Sequence, residues 1–284
     1  MTEWDDLLQK TIDTPEFLSE INTNGFWKCS DSVKNWAKDN GVELSSDAPS
    51  YVSINFWSQQ SPVLTENDYY ILRTGSGRFI ILDKKKFPNS YLNLSISNYT
   101  ELETTEDPDF PELYKVFRKD VSDKSRQENS ALEFPNALGC YDKLIEGLFG
   151  NVKWYVGPRG GKHSRFKVYG KNQSNGDPAF LYDYAGPEEL DYTIWTKDCI
   201  LLFEAKVVEH ENEGLDIGWF KMAYPACRFS KIDNYTTKPI YFLRCKNTIH
   251  IFVFPKFQFH NDGVIINDEE NQIPEKIFRI DLLG

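Results

Sequence analysis

The sequence predicts an α/β protein in which a central mixed sheet flanked by helices fills the C-terminal part and an N-terminal α+β region precedes it. Three observations predict this: an amphipathic stripe over residues 135–150, short β-like runs between 151 and 207, and a further apolar helix followed by two more β runs up to 257. The N-terminal elements come first along the chain. "EWDDLLQKTI" (3–12) and "SDSVKNWAKDNG" (30–41) read as short helices, the second capped by Ser30 or Asp31 and ending at Gly41. "PSYVSINFW" (49–57) reads as a strand, and "DYYILRTGSGRFIILDKKKF" (68–87) as a hairpin turning at Gly75 to Gly77. "GSGRFI" is no dinucleotide loop, because it lacks the third glycine and its flanks read strand to strand.

Residues 101–129 are polar, acidic and carry two prolines, so they are the expected linker. The chain then divides into residues 1–120, an N-terminal α+β region expected to serve recognition, and 121–284, with a fragment starting near Ser125 expected to hold the core. "PNALGCYDKLIEGLFG" (135–150) places apolar side chains at 138, 141, 145 and 148, beside Leu144 and Phe149, in one helix opened by Pro135 and closed by Gly150. β segments follow in "NVKWYVG", "SRFKVYG", "DYTIWT" and "CILLFEAKV", with "TKD" as the turn between the last two. "LDIGWFKMAYPACRF" (215–229) is a mostly apolar helix bent near Pro225, and "PIYFLRC" and "TIHIFVFPKF" complete the sheet.

The chain of 284 residues is 40% hydrophobic and can bury a large core without staples. Five scattered cysteines, none in CxxC spacing, suggest neither a disulfide framework nor a zinc ribbon and fit a reducing compartment. "MTEWDDLLQK" has acids where a signal peptide has cations, and no later stretch approaches a membrane span, so a cytoplasmic protein is expected. A net charge of −11 argues against a general nucleic-acid coat. Yet residues 147–176 contain no Asp or Glu, and Lys153, Arg159, Lys162, His163, Arg165, Lys167 and Lys171 lie there as candidate phosphate contacts. Arg73, Arg78 and Lys84 to Lys86 form a weaker basic cluster.

The chemistry concentrates in "LDYTIWTKDCILLFEAKVV" (190–208), an apolar hairpin carrying three charges that are costly to bury. Side chains alternate along a strand, so Glu204 and Lys206 share a face, and antiparallel pairing brings Asp191 beside them. Two acids that close repel unless a cation lies between them, and such hard oxygen ligands suit Mg²⁺. A structural salt bridge at a sheet edge is the alternative. The four dispersed histidines, with neither GxSxG nor HExxH present, give no nucleophile-activating system, and His210 in "EHENEG" reads as a solvated turn. Tyr184 and Tyr192 lie close enough in sequence to touch a substrate at this site.

Asp191, twelve intervening residues and then Glu204-Ala205-Lys206 at the end of an apolar strand resembles the signature of the PD-(D/E)XK nuclease superfamily, which includes most type II restriction endonucleases. The order of elements from about 128 to 255 resembles that family's restriction-endonuclease-like αβββαβ core. Leu190 stands where the family name has proline, with Pro187 three residues before it.

The resemblance implies that Asp191, Glu204 and the Ala205 carbonyl hold Mg²⁺, with Mn²⁺ able to substitute. Lys206 would position the attacking water and stabilise charge on the phosphate. It also implies an added acid from the first core helix, Glu133 or Glu128, with Glu146 directed to solvent. The expectation is a Mg-dependent hydrolase, a homodimeric endodeoxyribonuclease of type II restriction kind cutting double-stranded DNA. A structure-selective repair nuclease or junction resolvase, and a non-catalytic DNA-binding protein on the same fold, are the alternatives.

Overall fold

A computed structural model describes residues 2–122 and 128–282, so the expected fragment start near Ser125 lies outside the described residues. Helix α1 (Glu3–Ile12) opens with a capping box, in which Thr2 Oγ1 accepts the Asp5 N–H and the Asp5 carboxylate accepts the Thr2 N–H. Helix α2 (Pro15–Asn24), which the sequence reading passed over, starts at Thr14 with Pro15 in its first turn and stops at Gly25, φ 82°. After strand β1 (Phe26–Lys28), helix α3 (Val33–Asp39) is capped by Ser32 and not by Ser30 or Asp31.

The run expected as a strand at 49–57 is instead helix α4 (Ala48–Val52) followed by a 3₁₀ turn at Trp57–Gln59. The Gln59 side-chain oxygen accepts the Asn55 and Phe56 N–H groups, at 3.1 and 3.3 Å, donors that a sheet partner would otherwise take. Helix α5 (Pro62–Thr65) leads into the expected hairpin, β2 (Tyr69–Arg73) and β3 (Phe79–Asp83), which with β1 makes a three-stranded sheet in the order β1-β3-β2. Strand β4 (Thr100–Glu101) and helix α6 (Pro111–Ser122) occupy much of the expected linker, and Phe117 of α6 stacks on Phe134 with centroids 5.1 Å apart.

The single helix expected over 135–150 is two. Helix α7 (Glu128–Ala137) carries Pro135 inside it, and Gly139, at φ 68°, turns the chain into α8 (Cys140–Phe149). Next come β5 (Tyr155–Val156), β6 (Lys162–Lys171), β7 (Pro178–Glu188), β8 (Tyr192–Trp195) and β9 (Cys199–Val208). Strand β7 was not expected; it pairs with β6 along its length, and its Gly-Pro end masks the β pattern. Helix α9 (Phe220–Ala226), continued by a 3₁₀ turn, precedes β10 (Thr236–Cys245), β11 (Thr248–Val253), β12 (Phe259–His260), β13 (Gly263–Ile265) and β14 (Lys276–Asp281).

Among the described residues the central sheet has the strand order β4-β14-β11-β10-β9-β8-β5. Strands β9 and β10 run parallel with α9 in the connection between them, β8 and β9 are antiparallel, and the sheet is therefore mixed. A second sheet, β12-β13-β6-β7, lies beside it. One face of the central sheet packs on α7 and α8, where Leu132, Tyr141 and Leu144 meet Tyr192, Leu201, Phe203 and Ala205. The other face packs under α9 and the second sheet, with Leu202, Tyr241 and Leu243 against Trp219, Met222 and Val168.

That second core also takes in Tyr70, Leu72, Ile80 and Leu82 of the N-terminal hairpin. Apolar burial thus runs across the expected division near residue 120. The hairpin turn approaches β7 closely at a bridge between Gly75 and Ala185, and a Cβ built on Gly75 would lie 2.4 Å from the Ala185 carbonyl oxygen. Gly75→Ala should therefore push the hairpin off β7 and destabilise the chain by about 1–3 kcal/mol. Urea unfolding of the two proteins checks this, and an unchanged midpoint would show that the close approach carries no constraint.

Candidate functional site

Strand register builds the site. Tyr192 lies opposite Phe203, so Asp191, one residue earlier, reaches the level of Glu204 and Ala205, and Asp191 Oδ2 accepts the Ala205 N–H at 2.7 Å. Alternation sends Leu201, Phe203 and Ala205 toward α7 and α8, leaving Glu204 and Lys206 on the α9 side. Tyr192 goes with the first set and is fully buried against the helices, which removes it from any substrate; Tyr184 of β7 stays at the site.

Glu204 is 3% exposed, and two ammonium groups approach its Oε1, Lys206 Nζ at 2.9 Å and Lys221 Nζ at 3.5 Å. Neither makes a well-directed hydrogen bond to that atom, so it is a buried oxygen with charge partners only. Lys206 spends its donors on Glu128 Oε1 at 2.9 Å and on its neighbour's carbonyl, Ala205 O, at 2.6 Å. Glu128, at the start of α7, is thus the first-core-helix acid that meets the cluster. Glu133 lies further along α7 in a close ion pair with Arg159. Glu146 is exposed on α8.

Three carboxylates and two ammonium groups leave the cluster short of one positive charge. Burial, followed by repulsion from Glu204, pushes the Asp191 carboxyl up to about 7, against the opposing pull of Lys206 and the Ala205 N–H. Burial also opposes ionisation of Glu204, but Lys206 and Lys221 outweigh it and hold that group below its ordinary value. For Lys206 burial favours the neutral amine, and the attraction of Glu204, Glu128 and Asp191 overrides it, raising the group well above an ordinary lysine. Lys206 is therefore an ammonium at neutral pH. In that form it can donate hydrogen bonds and stabilise negative charge.

Among the described residues no group of three or more His, Cys, Asp and Glu side chains is placed to hold a metal ion. The donor set of the cluster is smaller: Asp191, Glu204 and the Ala205 carbonyl. Two carboxylates and a carbonyl, with water completing the shell, is a set that Mg²⁺ accepts. The buried Glu204 oxygen without a hydrogen bond, and the raised Asp191 carboxyl beside it, are what a dication would relieve.

The cluster reaches a cleft of about 410 Å³ through Lys206, Glu128 and Lys221, which line it with Tyr184, Glu188 and, from the N-terminal hairpin, Arg73, whereas Asp191 and Glu204 lie behind that lining. Arg73 is fixed by Gly75 O at 2.7 Å and Ser53 Oγ at 3.0 Å, both uncharged, so its charge is uncompensated by any ion pair among the described residues. Tyr184 also lines a second groove of about 680 Å³ holding Lys162, His163, Arg165 and Lys167 with Arg228 and Lys231. The two spaces meet at that ring.

The predicted phosphate contacts divide accordingly. Lys162, His163 and Arg165 are exposed along the groove, while Lys167 in the same groove pairs with Asp262 at 3.1 Å. Arg159 is taken by Glu133, and Lys153 lies over the Tyr155 ring on edge strand β5, outside the groove. Lys171 pairs with Asp268 at 2.5 Å. Sequence reasoning missed Lys221, whose signal was a lone cation in the apolar run "GWFKMAYPA". It also missed Arg228, which closes on buried Glu188 and ties the Gly160 carbonyl to β7 at 2.7 Å.

No family model, no curated protein and no solved structure matches the chain.

The Asp191 shift has a consequence for stability. A folded-state value near 7 against an ordinary 3.8 means the folded chain binds the proton more tightly, so the stability gained at low pH is lost as pH rises through about 7. Asp191→Asn should remove that slope between pH 4 and 7, and Mg²⁺ should stabilise wild type above pH 7 more than the variant. Melting temperatures across that range, with and without Mg²⁺, check both; parallel curves would mean Asp191 titrates normally.

Proposed function

We propose that the chain is a Mg²⁺-dependent endonuclease that hydrolyses phosphodiester bonds of double-stranded DNA, of the type II restriction kind. The observation that carries this reading is the constellation at the end of one hairpin: Asp191, Glu204 and Lys206 drawn together by strand register, with one positive charge too few, opening into a cleft that continues as a basic groove. The order α8-β5-β8-β9-α9-β10, with β9 and β10 parallel, agrees with the αβββαβ core that the signature implies, the β6–β7 pair being inserted between its first two strands. On an acidic protein, a groove that holds Lys162, Arg165 and Lys231 without ion pairs among the described residues suits contact with a polyanion.

Asp191, Glu204 and the Ala205 carbonyl would hold the metal, which supplies Lewis-acid polarisation of the phosphate and makes water a better nucleophile. The chain's own groups do the rest. Lys206, held as an ammonium by Glu128 and Glu204, faces the charge that grows on the phosphate in the transition state. Lys221 keeps Glu204 ionised. Arg73 adds a guanidinium to the cleft lining, where it can orient a neighbouring phosphate.

A homodimer would place two such sites about a two-fold axis, suited to cutting both strands of a symmetric sequence. A structure-selective nuclease would use the same site on branched DNA, and a non-catalytic binder would use only the groove. Among the described residues no helix is long and apolar enough to cross a membrane.

Asp191→Ala, Glu204→Ala and Lys206→Ala should each abolish plasmid cleavage in Mg²⁺ while the folded variants still bind DNA. Cleavage at the wild-type rate by any folded variant of the three would sink the assignment. Discrete bands from a mapped plasmid mark restriction, cutting of branched DNA alone marks the structure-selective alternative, and no cutting marks the binder. Along the groove, the double variant Lys162→Ala/Arg165→Ala should weaken binding to all sequences and flatten the salt dependence by about two units of log-log slope. Arg159→Ala, starting from an ion pair, should change it less. An unaltered slope in the double variant would leave the groove without a phosphate role.

A further inference from the structure

Beside the catalytic cleft lies a separate pocket of about 300 Å³, lined by Trp57, Tyr70, Lys84, Ser90, Tyr91, Asn93 and Asp216 among others. We propose that it takes one unpaired base of the substrate strand, a reading that rests on the chain acting on DNA.

Three aromatic rings build the pocket at steep mutual angles. Trp57 and Tyr91 lie 5.7 Å apart at 69°, Tyr70 and Tyr91 6.0 Å apart at 89°, and Trp57 and Tyr70 6.2 Å apart at 60°. The frame is locked from behind. The Tyr70 hydroxyl donates to Phe87 O at 2.8 Å and meets Ser90 Oγ at 2.7 Å, while the Tyr91 hydroxyl accepts from Gln60 Nε2 at 2.6 Å. Gln60 is in turn held by the Ile71 N–H and C=O, at 3.0 and 3.1 Å. These rings are set by hydrogen bonds that close packing alone would not require.

The Lys84 ammonium lies over one face of the Trp57 ring, 4.0 Å from its centroid. Lys84 is exposed and makes no ion pair among the described residues, so it can leave that face. A cation over a half-buried indole is held more weakly than a stacked base, and the displaced ammonium would stay at the mouth, where the base's own phosphate must lie. The polar wall can read an edge. Asp216 gives Oδ2 to the Ser58 N–H at 2.7 Å and keeps its second oxygen as an acceptor, and the exposed Asn93 amide supplies a donor. A carboxylate acceptor favours bases bearing an amino group, adenine, cytosine or guanine, over thymine.

Pocket and cleft share their walls. Ser53 and Asn55 line the cleft and Trp57 the pocket, while Asp216 lines the pocket and Phe220 and Lys221 the cleft. The two runs of chain are joined by the Phe56–Ile217 bridge, by Trp57 N–H to Asp216 O at 2.9 Å and by Gly218 N–H to Asn55 O at 2.8 Å. Tyr91 of the pocket and Phe220 of the cleft touch at 5.9 Å. A quaternary ammonium guest would also fit an aromatic frame with a carboxylate, but Lys84 repels it and attracts a nucleotide.

Fluorescence anisotropy on the full chain tests this, using a fully paired duplex of about 20 base pairs and four duplexes that each carry one extrahelical base. Amino-bearing bulges should bind about 5- to 150-fold more tightly than the paired duplex, a preference lost in Trp57→Ala and retained in Trp57→Phe. A bulged 2-aminopurine should lose emission on binding wild type, a measurement that needs no variant. No bulge preference, a preference undiminished in folded Trp57→Ala, unquenched 2-aminopurine, or competition by tetramethylammonium chloride beyond that of equal NaCl would each overturn the pocket assignment. Plasmid cleavage without a Trp57-dependent preference rejects the pocket and keeps the nuclease; the preference without Mg²⁺-dependent cleavage keeps the pocket and rejects the nuclease.

Discussion

Burial of the Glu204 carboxylate on the α9 face of the central sheet is the constraint around which the rest is arranged. An ionised group that is 3% exposed is tolerated only with compensating charge close by, and three separate elements supply or steady that charge. Lys206 comes from the same strand and face, Lys221 from the helix that follows, and Glu128 from the helix that precedes, holding Lys206 in turn. The β8–β9 register then adds Asp191, a third carboxylate that leaves the cluster one positive charge short. A structural ion pair would gain stability from neutrality, and this cluster departs from neutrality by a carboxylate on the strand opposite.

The same sheet explains why the surroundings are shaped as they are. Side chains toward α7 and α8 form an apolar core with no polar requirement, whereas the opposite face must house the charges and still pack. It does so by placing the second sheet and the N-terminal hairpin against the apolar part of that face, and the cleft remains where Arg73, Tyr184 and Lys221 come together over the charged part. The N-terminal hairpin is consequently a wall of the cleft as well as a neighbour of it, through Arg73 and the Gly75–Ala185 approach.

How much of this was legible in the sequence follows from the range of each interaction. The hairpin at 191–208, the β10 and β11 runs and α1 rest on local periodicity and turn chemistry, and they were readable. So was the meeting of Asp191, Glu204 and Lys206, because alternation and one tight turn determine it. Strand β7 was hidden by its glycine and proline, and the break at Gly139 by an apolar stripe that runs on across it. At 49–57 β-branched and aromatic residues suggested a strand, and a single glutamine side chain that takes up two backbone donors made a turn instead. Lys221 and Arg73 belong to the site only through contacts between elements far apart in the chain, which no local pattern encodes. The choice between Glu128 and Glu133 likewise depended on where α7 begins.

The basic segment shows the same limit from the electrostatic side. Its charges were visible as a run without acids, but a run of charge does not say which cations remain free once the chain is folded. Glu133 takes Arg159, Asp262 takes Lys167 and Asp268 takes Lys171. Lys162 and Arg165 are left in the groove, and Arg73, from a different basic cluster altogether, is left in the cleft that joins it. Folding therefore thins an apparent patch to a few unpaired cations, placed in a groove and a cleft that share Tyr184. On a chain of net charge −11, where those few cations lie matters more for the local potential than how many the sequence holds.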